Sequence, residues 1–334
     1  ALDMRRLNQV IEHEPADLTI TVEAGTTVKE LQARLAAYGQ RVALDPPWPD
    51  RATVGGTLAT GIAGPARWRL GHPRDTIIGI KVVMPDGRIA KAGGKVVKNV
   101  AGYDLCKLYI GSLGTLAVIV EATFKLVPTP RSQRVVACSL PTFKQACGLA
   151  KELQWRLLPI DSLWMEWDGG PCVLVCRLAG SPGAVSRSLE ELDALARQYS
   201  GAEAQPLERW PEVVSSPPVA ERLVLRVSVL PSRLVACLEA LTALEPELMV
   251  ALPLAGVAYA RWPAEASTPN ILQNAFQAVA TYDGILVIHQ CPFKYKEGRD
   301  VFGWRPPAQP MMKEIKRRWD PKGTLSPGRF VAHL

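Results

Sequence analysis

Glycines are concentrated in one stretch of the chain, between residues 53 and 128. This stretch holds twelve of the 26 glycines, which separate short apolar runs. Glycine has no Cβ and readily adopts positive φ, so such clusters suit a backbone that passes close to a flat ligand. The pair Gly55-Gly56 predicts a turn into a short helix through Leu58, whose unpaired N–H groups would suit a phosphate or a ligand carbonyl. A tight surface turn is the alternative interpretation.

Residues that could transfer protons or hold a metal are few and scattered. The four histidines stand at positions 13, 72, 289 and 333, and no paired carboxylates are evident. His289 ends an apolar run, where it is either a proton acceptor near a substrate or an ordinary polar residue on a sheet. The seven cysteines form no C-x-x-C pair, which favours free buried thiols in a reducing cytosol. We therefore expect no metal site.

The 334-residue length favours two domains, and the 48% hydrophobic and 21% charged content favours a packed globular protein. The net charge is 39 − 32 = +7, but the basic residues are not interleaved with aromatic ones, so nucleic acid is not an expected partner. An anionic cofactor or an acidic partner suits this charge better. No apolar run reaches the ~20 residues that span a membrane. The sequence opens at Ala1 without an initiator Met or a visible signal peptide, so we expect residues upstream of it.

The first elements are marked by turn and capping residues. The β-branched run at 18–22 predicts a strand that ends at Gly25. Thr26 or Thr27 is then expected to cap a helix, with Glu30 at capping-box spacing from Thr27. The apolar stripe predicted for this helix is Leu31, Leu35 and Tyr38, with Gly39 as the stop.

The glycine-rich stretch itself contains two long β runs, at 76–84 and 115–127. The sequence Pro85-Asp86-Gly87-Arg88 predicts a hairpin turn after the first of them. Residues 95–105 predict a polar connection, after which Asp104 would cap a short helix at 106–109. Residues 111–114 predict a turn into the second β run.

Strands and helices alternate after residue 131. Predicted strands are 135–140, 160–167, 173–178, 223–229, 248–252, 257–260 and 285–289. Predicted helices are 142–154, 182–199, 231–244 and 267–281, with 208–214 left ambiguous. Such alternation suggests an antiparallel sheet backed by helices, which is an α+β domain. The stripes of these helices indicate an ordinary hydrophobic core.

Several motifs resemble a known family of flavoproteins. TVGGTLATGIAGPARWRLGHPRD and KNVAGYDLCKLYIGSLGTLAVI are similar to the FAD-binding domain of the vanillyl-alcohol oxidase (PCMH) superfamily. Within it, DPPWP, ATGIAGPAR and VVKNVAGYD resemble the FAD-binding subunits of bacterial glycolate oxidase, also called glycolate dehydrogenase. The basic helix predicted at 311–319 and the following LSPGRF resemble the C-terminal signature of these proteins, with Ser326 where Asn is usual.

The resemblance implies a two-lobe α+β fold, with an FAD-binding lobe and an antiparallel-sheet cap or substrate lobe. The expected domains are residues 1–130 for FAD binding, residues 131–299 for the cap, and residues 300–334 as a tail that returns to the FAD lobe. The family also has an Arg-Gly-x-Gly-Thr turn that grips the pyrophosphate, upstream of the segment that matches 18–22. That turn is not in this sequence, so we expect FAD binding by the chain as given to be incomplete.

The resemblance further implies that FAD is held largely through backbone groups. The FAD-binding residues that it implies are Thr53, Val54, Gly55, Gly56, Thr57, Ala59, Thr60, Gly61, Gly64, Gly71, Arg74, Asp75, Gly111, Gly114, Thr115, Val118, Ile119, Ser326 and Arg329. His289 is the candidate catalytic residue, near the flavin edge. The family pattern has no histidine for covalent flavin attachment at the position of His72.

By the same resemblance, the chain is an FAD-binding subunit of a glycolate (2-hydroxy acid) dehydrogenase complex, which passes electrons to an iron–sulfur subunit. The catalytic flavoprotein subunit of such complexes has a His-x-Gly-Asp-Gly-Asn-x-His motif that this sequence lacks, which favours the companion role. The expected location is the cytoplasm, with attachment to the inner face of the membrane through partners. Two alternatives stay open: a non-catalytic scaffold that stabilises a catalytic partner, and a stand-alone lactate or aldonolactone oxidase.

Overall fold

The computed structural model describes residues 2–94, 103–201, 204–207, 222–263 and 269–334. The chain divides into two compact units. Unit 1 contains Ala1–Thr129 and Arg305–Leu334, and unit 2 contains Pro130–Trp304. The segment 208–214 and most of the connection predicted at 95–105 lie outside the described residues. In the described parts of the chain, every helix is too short or too polar to cross a bilayer.

The elements of unit 1 up to its last strand are β1 (Val10–Glu14), β2 (Thr19–Glu23), α1 (Val28–Ala36), β3 (Gln40–Val42), α2 (Val54–Thr60), α3 (Arg67–Leu70), α4 (Pro73–Thr76), β4 (Ile77–Val83), β5 (Ile89–Gly93), α5 (Cys106–Tyr109) and β6 (Val118–Pro128). Those of unit 2 are β7 (Ser132–Leu140), α6 (Phe143–Trp155), β8 (Ile160–Trp167), β9 (Cys172–Gly180), α7 (Pro182–Ser200), β10 (Gln205–Pro206), β11 (Leu223–Ser228), α8 (Leu234–Thr242), β12 (Leu248–Leu252), β13 (Val257–Trp262), α9 (Pro269–Ala280), β14 (Ile285–Gln290) and α10 (Phe293–Lys296). The chain then returns to unit 1 with α11 (Gln309–Trp319).

Unit 1 is built on an antiparallel sheet in which β6 is the central strand. Among the described residues the strand order is β1-β2-β6-β4-β5, and β3 pairs with the end of β6. Lys81 of β4 lies opposite Glu121 of β6, and the two side chains form a salt bridge. The fully buried core of this unit includes Val22, Leu31, Leu35, Leu58 and Phe124. The sheet and this core fix the positions of the loops that follow β2 and precede β6.

Helix α1 begins as predicted and ends earlier than predicted. Thr27 Oγ1 accepts a hydrogen bond from the Glu30 N–H at 3.2 Å, and Glu30 Oε2 accepts one from the Thr27 N–H at 3.2 Å, which confirms the capping box. Leu31 and Leu35 are buried, as predicted. The prediction for Tyr38 is wrong, because the helix ends at Ala36 and the Tyr38 side chain is 58% exposed.

One other local prediction in unit 1 is wrong, and one strand has no sequence prediction. Leu105, not Asp104, occupies the N-cap position of α5, and no side chain caps this helix. The Asp104 carbonyl instead accepts a hydrogen bond from the Lys107 N–H at 3.2 Å. Strand β1, which pairs antiparallel with β2, was not predicted, because its polar residues and exposed positions weaken the β pattern of an edge strand.

Unit 2 contains an antiparallel sheet of eight strands within the described residues, in the order β10-β7-β9-β8-β12-β13-β11-β14. Helices α6 and α7 contact β7 and β9, and α9 contacts β14. The predicted α+β class is therefore confirmed. Seven of the eight residues of β8 are buried, and Trp164 of this strand packs with Val250 and Tyr259 in one apolar cluster.

The cysteines are structural in both units. All seven are free and buried, which confirms the prediction made from their spacing. Burial raises the pKa of the Cys106 thiol to about 11 and that of the Cys138 thiol to about 12. Such thiols are almost fully protonated at neutral pH and are poor nucleophiles and poor metal ligands.

Candidate functional site

A cavity of about 800 Å³ opens in unit 1, and its size lies within the range of small-molecule sites. Its walls come from four separate parts of the chain: the N-terminal segment 2–5, the end of β2 with the start of α2, the turn into β6, and the C-terminal segment 324–326. Eight residues named from the sequence line it: Thr53, Gly55, Gly56, Ala59, Gly114, Val118, Ile119 and Ser326. Their contact with FAD stays a prediction.

The start of helix α2 differs from the prediction in one important respect. The Gly55-Gly56 pair lies inside the first turn of α2, not in a turn before it, and Thr53 is the N-cap. The Val54 N–H donates to Thr26 O at 2.9 Å, and the Gly55 N–H donates to Ala24 O at 2.7 Å. The Gly56 N–H donates to Thr53 Oγ1 at 3.1 Å. These donors are already used within the protein, so the prediction that they are unpaired is wrong, and contact of this helix start with a phosphate or a ligand carbonyl stays a prediction.

The two glycines of α2 are needed for different reasons. A Cβ on Gly55 would lie 2.8 Å from the Ala24 Cβ, so this glycine allows α2 to pack directly on the end of β2. A Cβ on Gly56 would meet only Thr53 Oγ1, at 3.1 Å, and Gly56 is exposed on the cavity surface. Gly56 thus presents bare backbone to the cavity, where a flat ring system could approach at van der Waals distance. The residues present therefore fit a flavin.

The turn at 111–114 forms the second wall. Gly111 and Gly114 both have positive φ, of 77° and 70°, so glycine meets a conformational need at each position. The Gly111 N–H donates to Leu58 O at 2.9 Å, and the Leu113 N–H donates to Ala59 O at 2.8 Å. These bonds fix the turn against the C-terminal end of α2, so that Gly114 and the start of β6 reach the cavity.

The C-terminal segment is held at the cavity by a buried ion pair, Lys316 with Asp320. Lys316 Nζ lies 2.6 Å from Asp320 Oδ2 and also donates to Thr115 O at 2.8 Å and Leu325 O at 2.9 Å. The Asp320 side chain is fully buried and accepts hydrogen bonds from the Thr324 and Leu325 N–H groups, both at 2.8 Å. We call this arrangement the Lys316–Asp320 clasp.

The pKa of Asp320 reflects two opposing influences. Burial of the carboxyl raises it, but the hydrogen bonds from Lys316 and from the Leu325 and Thr324 N–H groups lower it, and the net shift is downward. The carboxylate is therefore charged at neutral pH and stays paired with the ammonium group of Lys316. Because this pair joins α11 to both the turn before β6 and the segment 324–326, it determines where Leu325 and Ser326 line the cavity.

Charged groups at the cavity are confined to its N-terminal wall. Of the described residues that line it, only Asp3 and Arg5 carry charge, and they pair with each other at 2.6 Å. Their side-chain hydrogen bond lowers the pKa of Asp3 to about 2. Both are largely exposed, so the pair contributes little to stability. A ligand here would be held mostly by backbone groups and apolar contact.

Eleven residues named from the sequence do not line this cavity. Val54 and Thr57 are buried within α2, and Arg329 is exposed. Gly111 and Thr115 line a smaller cavity of about 210 Å³ elsewhere in unit 1. The others lie in α2, in the loops that follow it or in the short helix α4: Thr60, Gly61, Gly64, Gly71, Arg74 and Asp75. Their contact with FAD stays a prediction.

Several of these residues have a clear structural role. The Gly64 N–H donates to Asp45 Oδ1 at 2.9 Å, and a Cβ there would lie 2.4 Å from Asp45 O. Gly61 ends α2 with a φ of 62°. Asp75 accepts a hydrogen bond from the His72 N–H at 2.7 Å, which caps the short helix α4. These contacts shape the loop after α2.

Other cavity residues were not named from the sequence. They are Leu2, Asp3, Met4, Arg5, Ala24, Ala117, Thr324 and Leu325. Most are apolar or contribute through the backbone, so their residue types carry no chemical signal. The position of Ala24 could have been inferred, because it follows a predicted strand directly before the glycine turn.

His289 belongs to unit 2 and lies at the end of β14. Its ring meets the Tyr259 ring edge-on, with centroids 5.6 Å apart. Desolvation, followed by the positive charges of Arg226 and Lys296, lowers the pKa of His289 to about 4. The residue is exposed at the surface, and its imidazole is neutral at neutral pH. A catalytic role for His289 stays a prediction.

The comparisons with known proteins agree with the motifs. Residues 1–93 match a family described as "FAD binding domain". The chain is 35% identical over 177 residues to glycolate oxidase subunit GlcE of Escherichia coli K12, which covers 51% of this chain and 50% of that protein. It is 39% identical over 144 residues to a D-lactate dehydrogenase of Archaeoglobus fulgidus, covering 43% of this chain and 32% of that protein. The chain thus spans half or less of the length of these relatives.

The fold has a counterpart among solved structures. An alkyldihydroxyacetonephosphate synthase matches with a TM-score of 0.71 and 16% identity, over 96% of this chain and 66% of that chain. At this identity the match concerns the fold alone. Together with the family match, it confirms the predicted PCMH-type fold and the prediction of FAD as cofactor. Residues 1–93 therefore match the FAD binding domain family, and the chain shares the fold of that synthase.

Proposed function

We propose that this chain is an FAD-binding subunit of a 2-hydroxy-acid dehydrogenase complex. The observation that carries the proposal is the cavity of about 800 Å³, where the two glycine-rich segments and the C-terminal signature meet. The similarity to a glycolate oxidase subunit and to a D-lactate dehydrogenase supports the substrate class. The word "subunit" in the name of the first relative supports an assembly. In this proposal the domain 131–299 is the cap or substrate domain.

Each wall of the cavity has a distinct task in this proposal. Bound FAD would supply the hydride-accepting ring for oxidation of the carbon that bears the hydroxyl group. Gly56 leaves space for a ring to lie against α2, and Ala117, Val118 and Ile119 form an apolar wall that excludes water. The Lys316–Asp320 clasp holds Ser326 at the C-terminal wall, where its hydroxyl can donate to a ligand oxygen.

Electrons that leave such a site need a carrier. The seven cysteines are buried, and burial raises the pKa of the Cys106 and Cys138 thiols. The cysteines therefore suit packing better than ligation of an iron–sulfur cluster. The proposal therefore places the iron–sulfur carrier and the main catalytic flavoprotein on partner subunits. The chain would then be a cytoplasmic subunit, attached to the inner face of the membrane through those partners.

The test is anaerobic reduction of the full-length protein, purified together with the chains that accompany it in its native source. The proposal predicts bound FAD whose visible absorbance bleaches on addition of glycolate or D-lactate, and iron in the accompanying chains. A complex without flavin in this chain would refute the proposal in favour of the scaffold. Rapid dye reduction with glycolate by the isolated full-length chain would refute the companion role and favour a stand-alone oxidase.

A further inference from the structure

A β-bulge in unit 2 sets His289 apart from the regular sheet. Strands β11 and β14 pair Leu225 with Ile288 and Val224 with Gln290, so His289 is the extra residue between two consecutive pairs. Bulges break the ladder locally and redirect a side chain, and they occur often beside functional sites. His289 is exposed and follows the four apolar residues of this strand, Ile285 to Ile288.

His289 shares the face of the sheet that carries Arg226. Arg226 lies directly opposite Tyr259 on β13 and opposite Val287 on β14. Residues paired in this way project to the same face, so Arg226 and Tyr259 are neighbours. The edge contact between the Tyr259 and His289 rings, at 5.6 Å, shows that the imidazole shares this face.

The two positive charges near His289 have no carboxylate partner among the described residues. Arg226 on β11 and Lys296 on α10 both act electrostatically on His289, and no carboxylate in the described residues does. Neither Arg226 nor Lys296 has a salt-bridge partner among the described residues, in contrast to Arg177 with Asp161 and Arg261 with Glu247 in the same unit. Two unpaired cations beside a neutral imidazole form a favourable environment for an anion.

We propose that Arg226, Lys296 and His289 form a binding site for a small organic carboxylate, with Arg226 and Lys296 facing the carboxylate group and His289 accepting a hydrogen bond from a neighbouring hydroxyl. A guanidinium group binds a carboxylate through two parallel hydrogen bonds, and a neutral imidazole nitrogen is a hydroxyl-proton acceptor. Tyr259 is 4% exposed, and its ring packs edge-on against the imidazole. That the carboxylate belongs to a 2-hydroxy acid rests on the proposed function, whereas the anion site itself does not.

The test is a histidine NMR titration of the full chain with sodium glycolate, which requires no flavin. His289 is one of only four histidines, so its resonances can be assigned with His289→Gln. An anion on Arg226 and Lys296 offsets their repulsion of the imidazolium form, which comes after desolvation among the causes of the lowered pKa, so saturating glycolate should raise the pKa of His289 measurably. Ethylene glycol, which has the hydroxyl groups but no carboxylate, should not shift it.

Arg226→Gln should abolish the response to glycolate, whereas Arg134→Gln, which changes an exposed arginine on β7, should leave it intact. Circular dichroism checks that each variant is folded. An unaltered His289 resonance with glycolate, an equal response to ethylene glycol, or a full response in folded Arg226→Gln would each overturn the proposal. If glycolate shifts the His289 resonance but does not bleach flavin in the complex, only the proposed function is refuted. If glycolate bleaches flavin in the complex but does not shift the His289 resonance, only the carboxylate site is refuted.

Discussion

Replacement of Lys316 by Met tests the clasp that positions the C-terminal wall of the cavity. The substitution keeps most of the aliphatic chain but removes the ammonium group. Three hydrogen bonds of 2.6–2.9 Å are then lost, to Asp320, Thr115 and Leu325. The Asp320 carboxylate stays fully buried with its two backbone donors, but without a counter-charge.

The size of the effect follows from this geometry. Removing one partner of a buried ion pair typically costs about 3–5 kcal/mol, because the other charge stays buried and unpaired. The two remaining N–H donors still stabilise the Asp320 carboxylate, so we expect about 3 kcal/mol for Lys316→Met. The same change should weaken FAD binding by about tenfold or more, or ~1.4 kcal/mol, since Leu325 and Ser326 line the cavity.

The assay is urea unfolding of the full chain followed by circular dichroism, with Lys313→Met as the matched control. Lys313 lies on the same helix and is exposed, so its substitution should change stability by less than about 0.5 kcal/mol. Lys316→Met combined with Asp320→Asn should cost at least ~1 kcal/mol less than the sum of the two single changes, because they remove the same interaction. If Lys316→Met is no more destabilising than Lys313→Met, the reasoning is refuted.

Three further predictions follow from the same contacts. The stability difference between wild type and Asp320→Asn should be constant above about pH 5 and shrink below about pH 4, because a carboxyl with a lowered pKa stabilises the fold only while it is charged; a difference unchanged down to pH 2 would contradict the ion pair. Gly64→Ala should lower stability by about 1–3 kcal/mol in urea unfolding, since its Cβ would lie 2.4 Å from Asp45 O, whereas a variant of unaltered stability would show that the loop adjusts freely. Cys106 should react with a thiol reagent at pH 8 far more slowly in the native chain than in urea, because its pKa is about 11; equal rates would contradict its burial.

Local signals in the sequence predicted several elements well. The Thr27 capping box was predictable because a cap depends on residues within one helical turn. The hairpin after β4 was predictable for the same reason, and it is confirmed by the hydrogen bonds of Met84 with Gly87 and Arg88. In each case the contacts that decide the structure lie within four residues.

Predictions that depended on distant partners failed. The N–H groups of Val54 and Gly55 appeared free from the sequence, because their acceptors, Thr26 O and Ala24 O, lie some thirty residues earlier and become visible only when β2 and α2 pack together. The bulge at His289 was equally hidden, because a register shift depends on the pairing of β14 with β11. The N-terminal wall of the cavity gave no signal, because apolar side chains and backbone atoms form most of it.

The most direct test of the account is the affinity of the cavity for FAD in three variants of the full-length protein. Gly56→Val places a side chain where α2 presents bare backbone to the cavity, and we expect at least a tenfold loss of FAD affinity in a flavin fluorescence titration. Cys106→Ser, which changes a buried thiol outside the cavity, and Gly170→Val, in an exposed turn of unit 2, should bind FAD like the wild type. If Gly56→Val is folded and binds FAD as tightly as these two controls, the cavity is not the flavin site.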